Sequence, residues 1–586
     1  MIKLAKYLKP YLITISVIFV LVFIQTMTDL ALPDYMAKIV NTGIMGGDTN
    51  YIIKIGGQML LVALLGAVCT VFVSYFAAKV SAGFARNMRE KVFTRVESFS
   101  LIEFDKFSTA SLITRTTNDI QQIQMVLFMI LRMVLAAPIM GIGGVMKAVG
   151  KNPSMSWIIA ASVSAIVALI IFMFIFAMPK FKQLQKLVDK INLVTREILT
   201  GLRVIRAFNT EKYEEEKFDN ANKELTRISL FVNRLMVILN PFMILLLNFT
   251  TLAVIWIGAH KIDAGSLDIG NMMAFMQYAV QILFSFIMIS MVFIIIPRAS
   301  VSAGRIAEVI ETLPEIVDPK NPETPDEKIK GLVEFKNVKF TYPGADEPVL
   351  FDINFTAQPG QTTAIIGSTG SGKSTLINLI PRFYDVTEGE ILVDGLDVRK
   401  MKQEILRDKI GYVPQKGVLF SGTIKSNIIY GKPEAKEEEV STAAKTSQSL
   451  DFIDEREEKY DAPISQGGTN VSGGQKQRLS IARAIIKKPE ICIFDDSFSA
   501  LDFKTDAALR KALKKETNEA TVIIVAQRIS TIMRAEKIIV LDEGKIAGIG
   551  THKKLMENCE VYREIALSQL SMKELNVNNK GVAVNE

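Results

Sequence analysis

Histidine and cysteine are scarce in this chain of 586 residues. The two histidines are His260 and His552, and the three cysteines are Cys69, Cys492 and Cys559. The cysteines lie far apart and match neither a disulfide framework nor a metal-ligand spacing, so neither kind of staple is expected to hold the fold. Unpaired thiols suit a reducing, cytosolic face. Strong charge of one sign is lacking too. With 68 basic and 61 acidic residues the net charge is +7, mild for this length and no pointer to nucleic acid. A basic, aromatic-rich face is also missing, which argues further against nucleic-acid handling.

Apolar residues, by contrast, are abundant. They make up 49% of the chain, and the mean hydropathy is +0.27. That is high for a purely soluble protein and low for a purely membrane one, so a mixture is expected. One core cannot serve this length, since domains usually hold about 100–200 residues. After Met1–Pro10, with Lys3, Lys6 and Lys9, the run from Tyr11 to Leu32 is almost wholly apolar. At about 22 residues it makes about 33 Å of helix, enough to cross a hydrocarbon core of about 30 Å and too long for a signal-peptide core. Further runs of this kind centre on residues 52–78, 126–147, 157–178, 235–259 and 272–296. Six candidate spans exclude a soluble protein with a single anchor.

Loop charge gives an orientation. The segment between the second and third spans carries Lys79, Arg86, Arg89, Lys91, Arg95, Lys106 and Arg115. The segment between the fourth and fifth carries Lys180, Lys182, Lys186, Lys190, Arg196, Arg203, Arg206, Lys212 and Lys217. The positive-inside tendency places both long loops and both termini in the cytosol of a multi-pass plasma-membrane protein. Phe181, Leu184, Leu187, Val188 and Ile191 recur at helical spacing, so the spans are expected to continue as helices into the cytosol. Turns are expected at Phe104–Phe107 and Phe208–Tyr213. Residues 1–310 thus read as a six-helix membrane domain and 311–330, with Pro314, Pro319, Pro322 and Pro325, as a Pro-rich, semi-rigid linker. Residues 331–572 read as a soluble α/β domain, and 573–586 as a loose polar tail.

The α/β part contains Gly367-Ser368-Thr369-Gly370-Ser371-Gly372-Lys373-Ser374-Thr375, after the apolar run Thr363–Ile366 and before the apolar Leu376–Ile380. Strand, glycine-rich loop and helix in this order form a phosphate cradle of backbone N–H groups. Lys373 is placed to reach the β- and γ-phosphates of ATP, and Ser374 to bind Mg²⁺. Ile491–Asp495 reads as a buried strand ending in a carboxylate that can hold Mg²⁺. Gln415 lies on a loop from which it can join the Mg²⁺ shell. Tyr342 is a candidate for stacking on adenine. Val471-Ser472-Gly473-Gly474-Gln475 opens a basic helix and makes a second anion site, and Ser499–Asp502 closes the set.

These motifs, in this order and spacing, resemble the Walker A loop, Q-loop, signature, Walker B strand and D-loop of ABC transporters. The six preceding spans look like an exporter half-transporter of the multidrug or lipid type. The resemblance implies that two halves pair, each ATP lying between one chain's Walker A loop and the other's signature. It also implies that the turns near Phe104–Phe107 and Phe208–Tyr213 are coupling helices. Val471 stands where the family usually has leucine. Two departures weigh more. The family has a water-polarising glutamate after the Walker B carboxylate, and here that residue is Asp496. It has a histidine at the γ-phosphate, and here Gln527 stands in its place. Gln415 and Asp502 complete the candidate catalytic set. Glutamine carries no charge, and a carboxylate one methylene shorter sits about 1 Å off, an error that can cost about 10²-fold in rate.

The resulting expectation is an ATPase subunit that binds MgATP at a degenerate site, hydrolyses it poorly, and lends its intact signature to a partner. Such a heterodimer would export drugs, lipids or peptides of amphipathic character, with a homodimer the less favoured arrangement. The other reading is a regulatory membrane subunit that switches on ATP binding without net pumping. For the pathway, the polar span residues are Gln25, Thr26, Thr28, Asp29, Arg132, Asn240, Asn248, Gln277 and Gln281. Asp29 and Arg132 are candidates to pair, and Met272, Met273, Met276, Met288 and Met291 give the sixth span an adaptable lining.

Overall fold

The computed structural model describes residues 2–326 and 328–570, without some side chains in the long helices, among them Asn240 and Met291. The expected tail from residue 573 lies outside the described residues. The chain divides into two compact units, one of residues 1–97 and 109–312, the other of 98–108 and 313–586.

Long helices make up the first unit. They are α1 (Leu12–Lys38) and α2 (Thr49–Glu97), then, after a short α3 (Leu101–Phe107) that belongs to the second unit, α4 (Thr109–Lys151), α5 (Ser156–Phe208), α6 (Glu211–Asp263) and α7 (Ile269–Glu311). Six of these are long and apolar enough to cross a membrane. At 53 residues each, α5 and α6 extend to about 80 Å, more than twice a hydrocarbon core of about 30 Å. Their apolar windows, Pro153–Phe172 and Pro241–Asp263, sit at the ends remote from their shared turn. The polar excess of both helices therefore projects beyond the apolar layer.

Close packing in this unit depends on small residues on α4. A Cβ on Gly144 would meet Ile282 of α7 at 2.7 Å, and one on Gly143 would meet Leu30 of α1 at 2.5 Å. Bare backbone is what lets the three helices approach. Beside this contact the Tyr278 hydroxyl, fully buried, donates to the Leu30 carbonyl at 3.0 Å. Single π-helical turns interrupt α4 at Arg115–Asp119 and Ile130–Val134, and the second carries Arg132.

The two expected turns differ from each other. Residues Leu101–Phe107 form a helix, capped by Ser100 and Glu103 in a reciprocal box. Residues 208–210 form only a tight reversal, because Asn209 takes a left-handed conformation (φ 55°) and α6 starts at once at Glu211. No separate coupling helix stands there.

In the second unit the strands are β1 (Val333–Phe340), β2 (Leu350–Ala357) and β3 (Thr362–Gly367), then α8 (Lys373–Leu379), β4 (Glu388–Val393), β5 (Leu396–Asp397) and β6 (Ile410–Val413). There follow α9 (Gly473–Ile485), β7 (Ile491–Asp495), α10 (Phe503–Glu516), β8 (Thr521–Val525), β9 (Lys537–Asp542) and β10 (Lys545–Gly550). One sheet has the order β2-β1-β4-β5 and a larger one β10-β9-β3-β8-β7-β6, while Gly422–Thr423 and Pro463–Ile464 form a small two-stranded pair. Pairing in the larger sheet is parallel except between β9 and β10. Every residue of β7 and β8 is buried, the pattern of strands covered on both faces.

The linker is held rather than free. The Glu315 N–H donates to Glu103, the Glu323 N–H to the Lys400 carbonyl, and the Gln403 N–H to Asp318.

Gly144→Ala should lower the melting midpoint of the detergent-solubilised chain, with a cost of about 1–3 kcal/mol for overpacking. Gly150→Ala, whose Cβ would meet nothing within 4 Å, should leave the midpoint unchanged or raise it slightly.

Candidate nucleotide site

Parallel pairing brings three strand ends together. Val525 of β8 pairs with Ile365 of β3 on one side and with Asp495 of β7 on the other. Everything that follows these residues in sequence leaves the sheet at its carboxyl edge, where open α/β sheets bind ligands.

The loop after β3 requires its glycines. Gly370 and Gly372 have φ of 87° and 92°, and a Cβ on Gly367 would lie 2.1 Å from the Leu541 carbonyl oxygen. Lys373 folds into this loop, donating to the Gly367 and Ser368 carbonyls at 3.0 and 2.6 Å. Burial pushes its ammonium pKa below the usual value, although Asp496 and Asp495 pull it back. The Ser374 hydroxyl donates to Asp495 Oδ1 at 3.1 Å. Burial raises the Asp495 carboxyl, the Ser374 hydrogen bond opposes this, and neighbouring Asp496 adds to it. Hard oxygen donors, a hydroxyl beside a carboxylate, fit Mg²⁺, which takes few protein ligands and shares the rest with phosphate and water.

Asp496 is nearly buried and strained, with φ at 44°. Its Oδ2 accepts from the Gln527 side chain at 2.9 Å and from Gln415 at 3.4 Å. Asp496 and Gln527 therefore touch each other. Burial raises the Asp496 carboxyl, and the amide donors moderate the rise. Gln415 thus sits against Asp496, while Ser374 and Asp495 form their own pair.

Other expected residues take defined places. The Tyr342 hydroxyl shares a hydrogen bond with Thr375 at 2.9 Å, and its ring lies edge-on to Phe340 and Tyr384 at 4.8 and 5.3 Å. Ser472 caps α9, bonded reciprocally with Gln475, and Val471 is buried in the core below. Gly473 faces open space, and a Cβ on Gly474 would reach the Ala500 carbonyl at 3.3 Å. Among the described residues no hydrogen bond joins Val471–Gln475 to the loop 367–375. Asp502 accepts from the Thr505 N–H as the cap of α10, which lowers its carboxyl pKa. A residue missed in the sequence is Gln477. It is buried on α9 and donates to the Pro414 carbonyl at 3.2 Å, fixing the loop that carries Gln415. Its place two residues after Gln475 in a helix rich in charge was the available signal.

In the first unit, Gln25, Thr26, Asp29, Arg132, Gln281 and Met288 border one cavity of about 360 Å³. Asp29 and Arg132 face that space without forming an ion pair. Met272 instead packs on Gly258, and Met276 joins the helix core. Asn240 and Met291 fall outside the described side chains.

A phosphate-cradling loop, a carboxylate-tipped strand beside it and a membrane unit of long helices together define a membrane-bound P-loop nucleotide-binding protein. The profile of the ABC transporter transmembrane region matches residues 15–286, and the ABC transporter profile matches 350–499. An uncharacterized ABC transporter ATP-binding protein of Mycobacterium tuberculosis is 41% identical over 569 residues, 97% of each chain. The ATP-dependent lipid A-core flippase of Syntrophus aciditrophicus is 32% identical, covering 88% of this chain and 85% of the flippase. A solved bacterial Atm1-family ABC exporter with ATP bound superposes with a TM-score of 0.79 at 26% identity, covering 96% of this chain and 99% of that one. The chain belongs to the ABC transporter family as an exporter-type half-transporter, an ATP-binding, multi-pass plasma-membrane protein.

Asp495→Asn should raise the melting midpoint of the nucleotide-free protein at pH 7 by a few degrees, roughly 2–4 °C per kcal/mol relieved. The sign follows from linkage. A carboxyl raised on folding costs stability as pH rises above its ordinary value of 3.8 through the raised value. The same variant should lose the further stabilisation that wild type gains from MgATP, both read by thermal shift.

Proposed function

We propose that this chain is the degenerate-site subunit of a heterodimeric, ATP-driven exporter of amphipathic substrates such as drugs, lipids or peptides. Gly367–Thr375 cradles the phosphates, Lys373 meets the β- and γ-phosphates, Ser374 and Asp495 hold Mg²⁺, and Tyr342 supports adenine. Val471–Gln475 completes the ATP site of a partner half-transporter that carries the glutamate and histidine. Asp502 serves position rather than proton transfer, because its carboxylate caps α10. The termini, the long loops and the nucleotide unit lie in the cytosol, as the loop charges favour.

One observation carries the reading: Gln527 donates to Asp496 Oδ2 at 2.9 Å. The carboxylate that would polarise the attacking water already accepts from an uncharged amide, and Gln415 competes for the same oxygen. A base engaged in this way, and shorter than glutamate, activates water weakly. ATP binding needs neither residue. The relative named a lipid A-core flippase supports a lipid-like substrate among those considered.

Purified alone, the chain should bind MgATP yet turn it over about 10²-fold more slowly than when co-purified with its partner. Asp496→Glu alone should recover little, because Gln527 still lacks charge; Asp496→Glu with Gln527→His should recover more than the two single gains combined. Robust ATPase activity of the isolated wild-type chain would contradict the reading.

A further inference from the structure

We infer that the cavity between α1, α2, α4 and α7 recognises the head group of a zwitterionic amphiphile carrying a primary ammonium beside an anion. The inference rests on the export reading above and names the substrate class for it.

An ionised side chain at membrane depth is expensive and persists where it has a function. Here two of opposite sign, Asp29 on α1 and Arg132 on α4, border one cavity of about 360 Å³. Among the described residues neither has an ion-pair partner. They face a shared space instead of closing it. The π-helical turn Ile130–Val134 breaks the regular ladder of α4 where Arg132 stands, a departure that often marks functional positions.

A third group gives the ligand its donor. Gln281 on α7 donates to the backbone carbonyl of Asp29 at 3.3 Å, which fixes its amide. Its Oε1 is buried and has no partner among the described residues. An acceptor in that state lacks a hydrogen-bond donor. A primary ammonium supplies three N–H donors, enough for Gln281 Oε1 and the Asp29 carboxylate together. A quaternary ammonium supplies none. The anion of the same head group then faces the Arg132 guanidinium, which suits phosphate oxygens.

Size agrees with a head group rather than a whole lipid. Ligand sites span roughly 300–1,000 Å³, and this one lies near the lower end. Met140 and Met288 complete the wall with flexible apolar side chains, which suit the start of acyl chains of varied length.

The test uses the full-length chain in nanodiscs and fluorescent short-chain lipids differing only in head group: phosphatidylethanolamine, phosphatidylcholine and phosphatidylglycerol, with a fluorescent alkylamine as the cation. Phosphatidylethanolamine should bind tightest. Asp29→Asn should weaken it about tenfold to a hundredfold, as loss of a charged hydrogen-bonded partner does, and leave phosphatidylglycerol unchanged. Arg132→Gln should weaken both of these lipids and spare the alkylamine. Gln281→Leu should narrow the gap between phosphatidylethanolamine and phosphatidylcholine. MgATP binding by each variant reports folding; for a variant that loses it, the wild-type head-group ranking and Asp29→Glu decide. Equal affinity for all four probes, or unchanged discrimination in folded variants, would overturn the inference. ATP-dependent transport by the assembled heterodimer is read separately, so its absence would count against the export reading alone.

Discussion

Val525 pairs with Ile365 on one side and Asp495 on the other, and the chemistry of the nucleotide site depends on that double register. A slip along β7 or β8 would separate Ser374 from Asp495, and Gln527 from Asp496. The strands resist such slips because all ten residues of β7 and β8 are buried, so displacement would disturb packing on both faces. The strained turn at Asp496 is held in the same way. Its N–H donates to the Val525 carbonyl at 2.9 Å and its carbonyl accepts from Ser499, so the surrounding sheet sustains a left-handed residue that would otherwise be unfavourable.

The proposed function separates, on the same frame, holding a nucleotide from spending it. In that reading the groups that hold it are Lys373 with its loop and Ser374 with Asp495. The groups next to them form a closed hydrogen-bonded set of Asp496, Gln415 and Gln527. Polar groups satisfied by one another inside a partly buried site lose little by staying so. Each of the three thus supplies what another needs: Gln527 and Gln415 donate, and Asp496 accepts.

Much of the architecture was legible in the sequence. Six apolar runs, and a glycine-rich loop set between an apolar strand and a helix, are local signals, and they carried the fold class. Contacts between distant residues were not legible. Asp496 and Gln527 stand 31 positions apart and meet only because β7 and β8 pair in parallel. The linker's prolines suggested a spacer, yet its hydrogen bonds to Glu103, Lys400 and Gln403 are contributed by other parts of the chain. Glu103 itself is the acidic member of the Ser100–Glu103 capping box. Nothing in the pattern of α4 marked the π-helical turn at Arg132, since a one-residue change in helical phase leaves an apolar run apolar.

The central claim is that this chain retains its ATP while its partner turns over. Photolabelling the assembled heterodimer with azido-ATP during steady-state turnover, then identifying the nucleotide on each subunit, tests it most directly. The account predicts intact triphosphate on this chain and diphosphate accumulating on the partner. Diphosphate appearing on this chain at the partner's rate would contradict it.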